Sequence, residues 1–287
     1  MTRVTLVTVA YNSAAVLPTL LASIPAGVDC IVVDNGSKDP GEIRDLAQAH
    51  GAEFIASERN IGFGRGCNLG AARATMEFLF FVNPDAQLAP GAIEALLAAA
   101  DAHPDACAFN PRLREGNGKV AFKRRSKLLP KAQWLPREAA DADCELPVLQ
   151  GSAIFVRRAA FEAVKGFDPK IFLYHEDDDL SLRLKADCGP LRLVTGAEVV
   201  HLFGESTARS PRTAALKAWY MGQSRVYACR KHGMPNAFGN ALIEALSKLL
   251  SPLTLLSARK RAKHLAFLRG VLAARQCADA LKPFDAR

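Results

Sequence analysis

Four acids stand in a row in the stretch Tyr174-His175-Glu176-Asp177-Asp178-Asp179-Leu180. A second carboxylate, Asp85, follows the apolar run Phe78-Leu79-Phe80-Phe81-Val82 through Asn83-Pro84. A third, Asp34, closes Ile31-Val32-Val33 and is followed by Asn35-Gly36-Ser37, and His201 closes Val199-Val200. Carboxylates can take a proton from a hydroxyl within hydrogen-bond reach, or hold a hard cation through oxygen. Each group also has a structural reading. Asn-Pro-Asp is turn chemistry, because proline cannot donate to a sheet ladder and ends the strand. Acids can stabilise the positive end of a helix. A lone histidine is most often a packed or surface residue. Capping accounts for one or two of the four acids, but like charges repel, so the cluster asks for more.

The elements that must position these groups follow from the pattern of the chain. Strands are expected at residues 4–9, 30–33, 53–56, 78–82 and 106–110, separated by helices at 14–23, 41–49, 66–75 and 90–102. Apolar strands alternating with helices predict an α/β protein with a doubly wound, mostly parallel sheet. Ligands of such sheets bind outside the carboxyl ends of the strands. Those ends carry Tyr11-Asn12-Ser13, Asp34-Asn35-Gly36-Ser37 and Asn83-Pro84-Asp85, a polar rim with two carboxylates. The glycine-rich stretch Asn60-Ile61-Gly62-Phe63-Gly64-Arg65-Gly66 lacks a phosphate-loop fingerprint, though glycines let backbone come close to a ligand. Residues 112–147 hold the basic cluster Lys119, Lys123, Arg124, Arg125 and Lys127. They read as a hairpin and a long mobile loop, either a lid or a solvated connection. Further on, a strand with a glycine bend is expected at 149–156, a helix beginning at the four acids, with Asp179 and Arg183 as an i,i+4 pair, and a short strand before His201.

The composition bounds the partners. At 287 residues, 49% hydrophobic and 23% charged, the chain is ordinary globular protein of one large domain, or one domain with an appendage. A net charge of +8 favours acidic partners such as nucleotide phosphates or anionic lipid. No basic-aromatic module for nucleic acid is present. Seven scattered cysteines without CxxC spacing read as reduced thiols of a cytoplasmic protein. The apolar start MTRVTLVTVAYN is too short for a signal peptide, and no uninterrupted apolar segment is long enough to span a membrane. Residues 211–287 read as a helical extension to a domain at 1–210. Its apolar residues beside Arg259-Lys260-Arg261-Ala262-Lys263 suit either an interfacial helix on an anionic membrane or a helical pair that packs on the domain or forms a homodimer contact.

Seven motifs in order carry a family resemblance: VTVAYNS at 7–13, VVDNGSKD at 32–39, NIGFGRGCNLG at 60–70, FVNPDA at 81–86, GSAIFVRR at 151–158, GFDPKIFLYHEDDDLSLRL at 166–184 and VVHLFGES at 199–206. Over residues 3–232 the chain resembles the family 2 glycosyltransferases with the nucleotide-sugar-binding GT-A fold, and among them the bacterial rhamnosyltransferase-type enzymes. The resemblance implies an inverting transfer in which an acceptor hydroxyl displaces a nucleotide diphosphate. It implies Asp177 as general base with Glu176 and Asp179 in support, and Asp85 and His201 as ligands of Mg²⁺ or Mn²⁺. It implies Val9, Ala10, Tyr11, Asn12, Asp34, Asn60, Gly62 and Asn68 around the nucleotide, and Gly151 and Ser152 beneath the sugars. From charge alone, Arg124 or Arg125 is expected to close on the diphosphate.

One position departs from the pattern. Many relatives place a second acid where this chain has Asn83, so a weaker metal site or a sugar contact is expected there. The expected donor is dTDP-rhamnose, with UDP-hexose or UDP-N-acetylhexosamine as the rival and a non-catalytic scaffold as the other. The expected acceptor is a saccharide or lipid-linked saccharide of cell-surface polysaccharide synthesis. The expected location is the cytoplasm, at the inner face of the cytoplasmic membrane where the helical extension binds it.

Overall fold

The computed structural model describes residues 3–201, 210–255, 257–275 and 284. The Leu202–Ser206 part of the last motif lies outside the described residues. The first half alternates as the pattern requires: β1 (Val4–Ala10), α1 (Leu17–Ala22), β2 (Asp29–Asp34), α2 (Pro40–Ala49), β3 (Glu53–Ala56), α3 (Phe63–Ala71), β4 (Phe78–Val82), β5 (Ala86–Leu88) and α4 (Ala92–Ala102). Then come β6 (Ala108–Glu115), β7 (Val120–Ala121), β8 (Cys144–Leu146), β9 (Ala153–Arg157), α5 (Arg158–Ala163), α6 (Glu176–Asp187) and β10 (Leu191–His201). The last part is helical, with α7 (Pro211–Lys231), α8 (Ala237–Leu249), α9 (Pro252–Leu255) and α10 (Ala258–Ala273).

The strands form one sheet in the order β3-β2-β1-β4-β9-β6-β10-β5, with β7 beside β6 and β8 beside β10. β1 to β4, β6 and β10 run the same way, while β9, β5, β7 and β8 run against them. The carboxyl ends of β1, β2, β4 and β10 therefore share an edge with the amino ends of β9 and β5. That shared edge is where the site lies.

Side chains alternate across β4 and divide the core into two layers. Phe78, Phe80 and Val82 pack with Phe155, Phe109 and Leu96 of α4's side. Leu79 and Phe81 pack with Phe161, Phe167, Leu180 and Leu184 beneath α6. Phe78 and Phe155 stack with ring centroids 4.7 Å apart, which ties β4 to the reversed strand β9.

Some elements differ from expectation. The helix expected at 66–75 begins earlier, at Phe63, so Phe63 to Gly66 of the glycine-rich stretch form its first turn. Its entry residue Gly62 has φ +93, and any side chain there would collide with the carbonyl of Phe172. The strand expected at 149–156 is the shorter β9, and the strand before His201 is longer, with a register shift between Val194 and Glu198. The region 112–147 does form a hairpin, β6–β7, followed by two short 3-10 turns and β8.

Helix α7 lies against the sheet domain. Tyr220 stacks on Phe172 at 4.0 Å, Ser224 Oγ donates to Leu173 O, and Tyr227 donates to Asp168. α10 approaches α7 so closely that Gly222 meets the backbone of Phe267, and Gly270 that of Trp219. The six described cysteines are free thiols. Among the described residues no helix is long and apolar enough to cross a membrane.

Candidate active site

The acid cluster opens α6, entered through Tyr174 and His175, both with φ 67. Positive φ in two consecutive non-glycine residues costs energy, and such strain persists where the surroundings over-determine it. The four acids part ways by partner. Asp177 Oδ2 accepts from Lys123 Nζ at 2.6 Å and from Gly151 N at 3.0 Å. Asp178 takes Lys123 at 2.9 Å and His175 Nδ1 at 3.0 Å. Asp179, fully buried, pairs with Arg183 at 2.8 Å, Lys231 at 2.7 Å and His232 at 2.8 Å. The expected Asp179–Arg183 pair is thus present.

Glu176 has no cation of its own. Burial first, and then the charge of Asp177, push its carboxyl up to about 8, and its Oε2 has no hydrogen-bond partner among the described residues. The shift favours the neutral acid and keeps a further negative charge away from Asp177. For Asp178, burial opposes ionisation, but Lys123 and His175 outweigh it and hold the carboxyl well below the usual range. Asp179 is held down likewise, with burial outweighed by His232, Arg183 and Lys231. This division explains how four adjacent acids coexist.

A run of contacts leads from Asp177 to the second group of predicted residues. Gly151 donates to Asp177, and a side chain at 151 would crowd that carboxylate. The next carbonyl, Ser152 O, accepts from Asn83 N at 2.9 Å, because β4 and β9 pair Val82 with Ala153. Asn83 Nδ2 lies 3.1 Å from His201 Nε2, and Asp85 Oδ1 lies 3.2 Å from the same nitrogen. The short strand β5 causes this meeting, since its register sets Ala86 opposite His201. Asp177, Gly151, Ser152, Asn83, His201 and Asp85 are therefore one connected constellation.

The Asp85–His201 pair suits a divalent cation. Both residues are 4% exposed, and carboxylate oxygen and imidazole nitrogen are both ligands that divalent cations accept. Adjacent ligand atoms of an octahedral ion with bonds of about 2.1 Å sit about 3 Å apart, close to the separation here. With two protein donors, the diphosphate and water would supply the rest of the shell.

Of the residues expected at the nucleotide, Val9 to Asn12 and Asp34 lie at the ends of β1 and β2, Asn60 and Gly62 lead into α3, and Asn68 lies within it. Asp34 is buried, accepts from Ser37 N through Oδ2, and its Oδ1 has no hydrogen-bond partner among the described residues. Val9 and Ala10 are buried in β1, and Tyr11 is 40% exposed. Asn12, at φ 53, is held by Ser37 Oγ and accepts from Lys38 N. Asn60 accepts from Gly62 N and from Asn35 Nδ2. Asn68 spends both ends of its amide on the peptide groups of Phe167, and so braces the 166–168 turn.

In the basic loop, Arg124 donates to Leu135 O and Arg125 lies over the Trp134 ring at 5.7 Å. Lys123 is the residue that reaches the acids, a role that charge counting did not separate from its neighbours. Three further residues have roles that sequence reading did not assign, Asn35 among them although it stands in the polar rim. Asn35 clamps the 60–62 turn, Asn110 holds Gln150 and Ala153, and Lys231 crosses from α7 to Asp179. Asparagine at a strand end was the available signal for the first two.

Carboxylates and a histidine thus gather at the sheet edge formed by the carboxyl ends of the strands, where doubly wound sheets bind their ligands. The family model for glycosyl transferase family 2 matches residues 5–165, and the chain belongs to that family. It is 31% identical over 239 residues to the N-acetylglucosaminyl-diphospho-decaprenol L-rhamnosyltransferase of Mycobacterium tuberculosis, covering 71% of this chain and 78% of that protein. Its fold matches S. aureus TarS in complex with UDP, with a TM-score of 0.57, 16% identity and coverage of 96% and 92%. It also matches the mannosyltransferase PcManGT from Pyrobaculum calidifontis in complex with GDP-Man and Mn²⁺, with a TM-score of 0.57, 14% identity and coverage of 96% and 87%. The chain is a GT-A glycosyltransferase with rhamnosyltransferase homologues.

Proposed function

We propose that the chain transfers L-rhamnose from dTDP-rhamnose, with inversion, to a saccharide or lipid-linked saccharide acceptor in cell-surface polysaccharide synthesis. The observation that carries this reading is the connected constellation from Asp177 to the Asp85–His201 pair. The name of the mycobacterial relative supports the sugar and a lipid-linked acceptor.

In this reading the acceptor hydroxyl gives its proton to Asp177 Oδ2 as its oxygen bonds to the anomeric carbon. The bond from that carbon to the phosphate oxygen breaks, and the diphosphate departs with the electron pair. Lys123 has to yield Oδ2 for this to happen. Asp85 and His201 would hold Mg²⁺ or Mn²⁺, which supplies positive charge against the leaving diphosphate. Gly151 keeps its backbone N–H on Asp177 and fixes the carboxylate's direction. Protonated Glu176 adds no charge beside the base, and Asp34 with Tyr11 and Asn12 would receive the nucleoside.

The test is nucleotide release by the purified enzyme from dTDP-rhamnose, UDP-glucose and UDP-N-acetylglucosamine, with Mn²⁺ or EDTA, and NMR of the product anomer. The reading requires faster turnover of dTDP-rhamnose and an inverted product. Preference for a UDP-sugar would replace the donor, and no thermal response to either dTDP or UDP would favour a scaffold.

A further inference from the structure

Helix α8 presents a row of large aliphatic side chains to solvent. Its buried face is Ala237, Ala241 and Ala245, none more than 8% exposed, while Ile243 is 65%, Leu246 43% and Leu250 78% exposed. At 3.6 residues per turn the three aliphatic side chains share a sector of about 60° opposite the alanines. A helix between a core and water places its large apolar residues inward. This one sets its alanines, with Phe238 and Leu242 beside them, against its helical neighbours and leaves Ile243, Leu246 and Leu250 outward. A contiguous exposed apolar face of this kind marks an interaction site.

The charge beside it names the partner. The start of α10 exposes Arg259, Lys260 and Lys263, and residues 250–275 contain no acid. His264 Nδ1 lies 3.0 Å from Lys248 O, which also accepts from Thr254 Oγ1 at 2.7 Å. These bonds fasten the basic turn to the end of α8 that carries Leu246 and Leu250. Burial, together with Lys263, Lys248 and Lys260, pushes His264 below its ordinary value, a sign of the positive potential there.

We propose that the aliphatic ridge of α8 and the basic turn of α10 dock the enzyme on an anionic lipid bilayer. The ridge enters the boundary between headgroups and acyl chains, and the cations meet lipid phosphates. A second copy is the poorer occupant. A two-fold contact sets a patch against itself, so the acid-free basic turns would face each other. The surface lies apart from the strand-end constellation, and the inference does not depend on the choice of donor or acceptor.

Flotation of the full chain with phosphatidylcholine vesicles, with and without phosphatidylglycerol, tests it. Binding is expected only with the anionic lipid and is expected to weaken in high salt. Ile243→Ser with Leu250→Ser is expected to weaken partition at least tenfold, and Lys260→Glu with Lys263→Glu by roughly fivefold or more per residue. Melting temperature and the thermal response to dTDP or UDP are expected to stay unchanged in both variants. Failure of the wild type to float, or flotation of both variants like wild type, overturns the proposal. So does a wild-type dimer that the serine pair dissociates without any effect on vesicle binding. Loss of the nucleotide response in wild type would instead strike the transferase reading and leave the flotation result standing.

Discussion

Lys123 Nζ sits 2.6 Å from Asp177 Oδ2, so the carboxylate assigned as base is covered by a cation from a loop 54 residues away. The same amine also holds Asp178 at 2.9 Å. Asp177 and Asp178 outweigh the effect of burial and keep Lys123 protonated above its usual range. Lys123→Met leaves two carboxylates without their shared cation and is expected to cost about 3 kcal/mol at pH 7. The sign with pH follows from Asp178, whose folded pKa is depressed. Its stabilisation is present above the unfolded value and lost as pH falls, so the variant's deficit should shrink toward pH 3. Urea denaturation of both proteins from pH 3 to 7 measures this, and a pH-independent deficit would refute it.

Asp177→Asn keeps the shape of the side chain and removes the proton acceptor. Turnover is expected to fall by about 10²–10⁴-fold, with folding and nucleotide binding retained. Release of nucleotide diphosphate under saturating donor measures it. Turnover near wild type would sink the base assignment.

Glu176 gives a trend opposite to that of Asp178. Its folded pKa is raised to about 8, so the folded state holds a proton that the unfolded chain releases at lower pH. The stability this adds is present below the unfolded value and is lost as pH rises through about 8. Glu176→Gln has no proton to lose and is expected to be more stable than wild type at pH 9, on the order of a few kcal/mol. Thermal melts from pH 5 to 9 should show the wild-type curve falling more steeply. Parallel curves would show that Glu176 ionises normally.

Asn83 lies 3.1 Å from His201 Nε2, where a carboxylate would add charge to the metal pair. Asn83→Asp is expected to lower the Mn²⁺ concentration for half-maximal activity several-fold, and Asp85→Asn to raise it at least tenfold. A Mn²⁺ titration after EDTA treatment distinguishes them. No metal dependence in wild type, or no change in either variant, would remove Asp85 and His201 from the metal assignment.

The strand ends were legible because each follows a short apolar run and carries Asn, Asp or Gly, which mark the turns of an α/β sheet. What brings Asp85 to His201 was not legible. β5 has only Ala86, Gln87 and Leu88, too few for a periodic signal, and its partner lies far along the chain. The reversal of β9 was hidden for a similar reason, since an apolar strand buried on both faces looks alike in either direction. Within Lys123-Arg124-Arg125, charge alone could not say which residue turns inward. Arg124 and Arg125 follow the loop's own packing around Leu135 and Trp134, and Lys123 is left facing α6.

The pairing of Ala86 with His201 also fixes when the site comes into being. Asp85 is synthesised early, among strands that can already pair in parallel, but its histidine arrives with the last residue of β10. A nascent chain can therefore assemble most of its sheet while remaining without the Asp85–His201 pair. The Asp85–His201 contact accordingly reports completion of the sheet: a chain stopped before residue 201 carries Asp85 and Asn83 yet lacks their common partner.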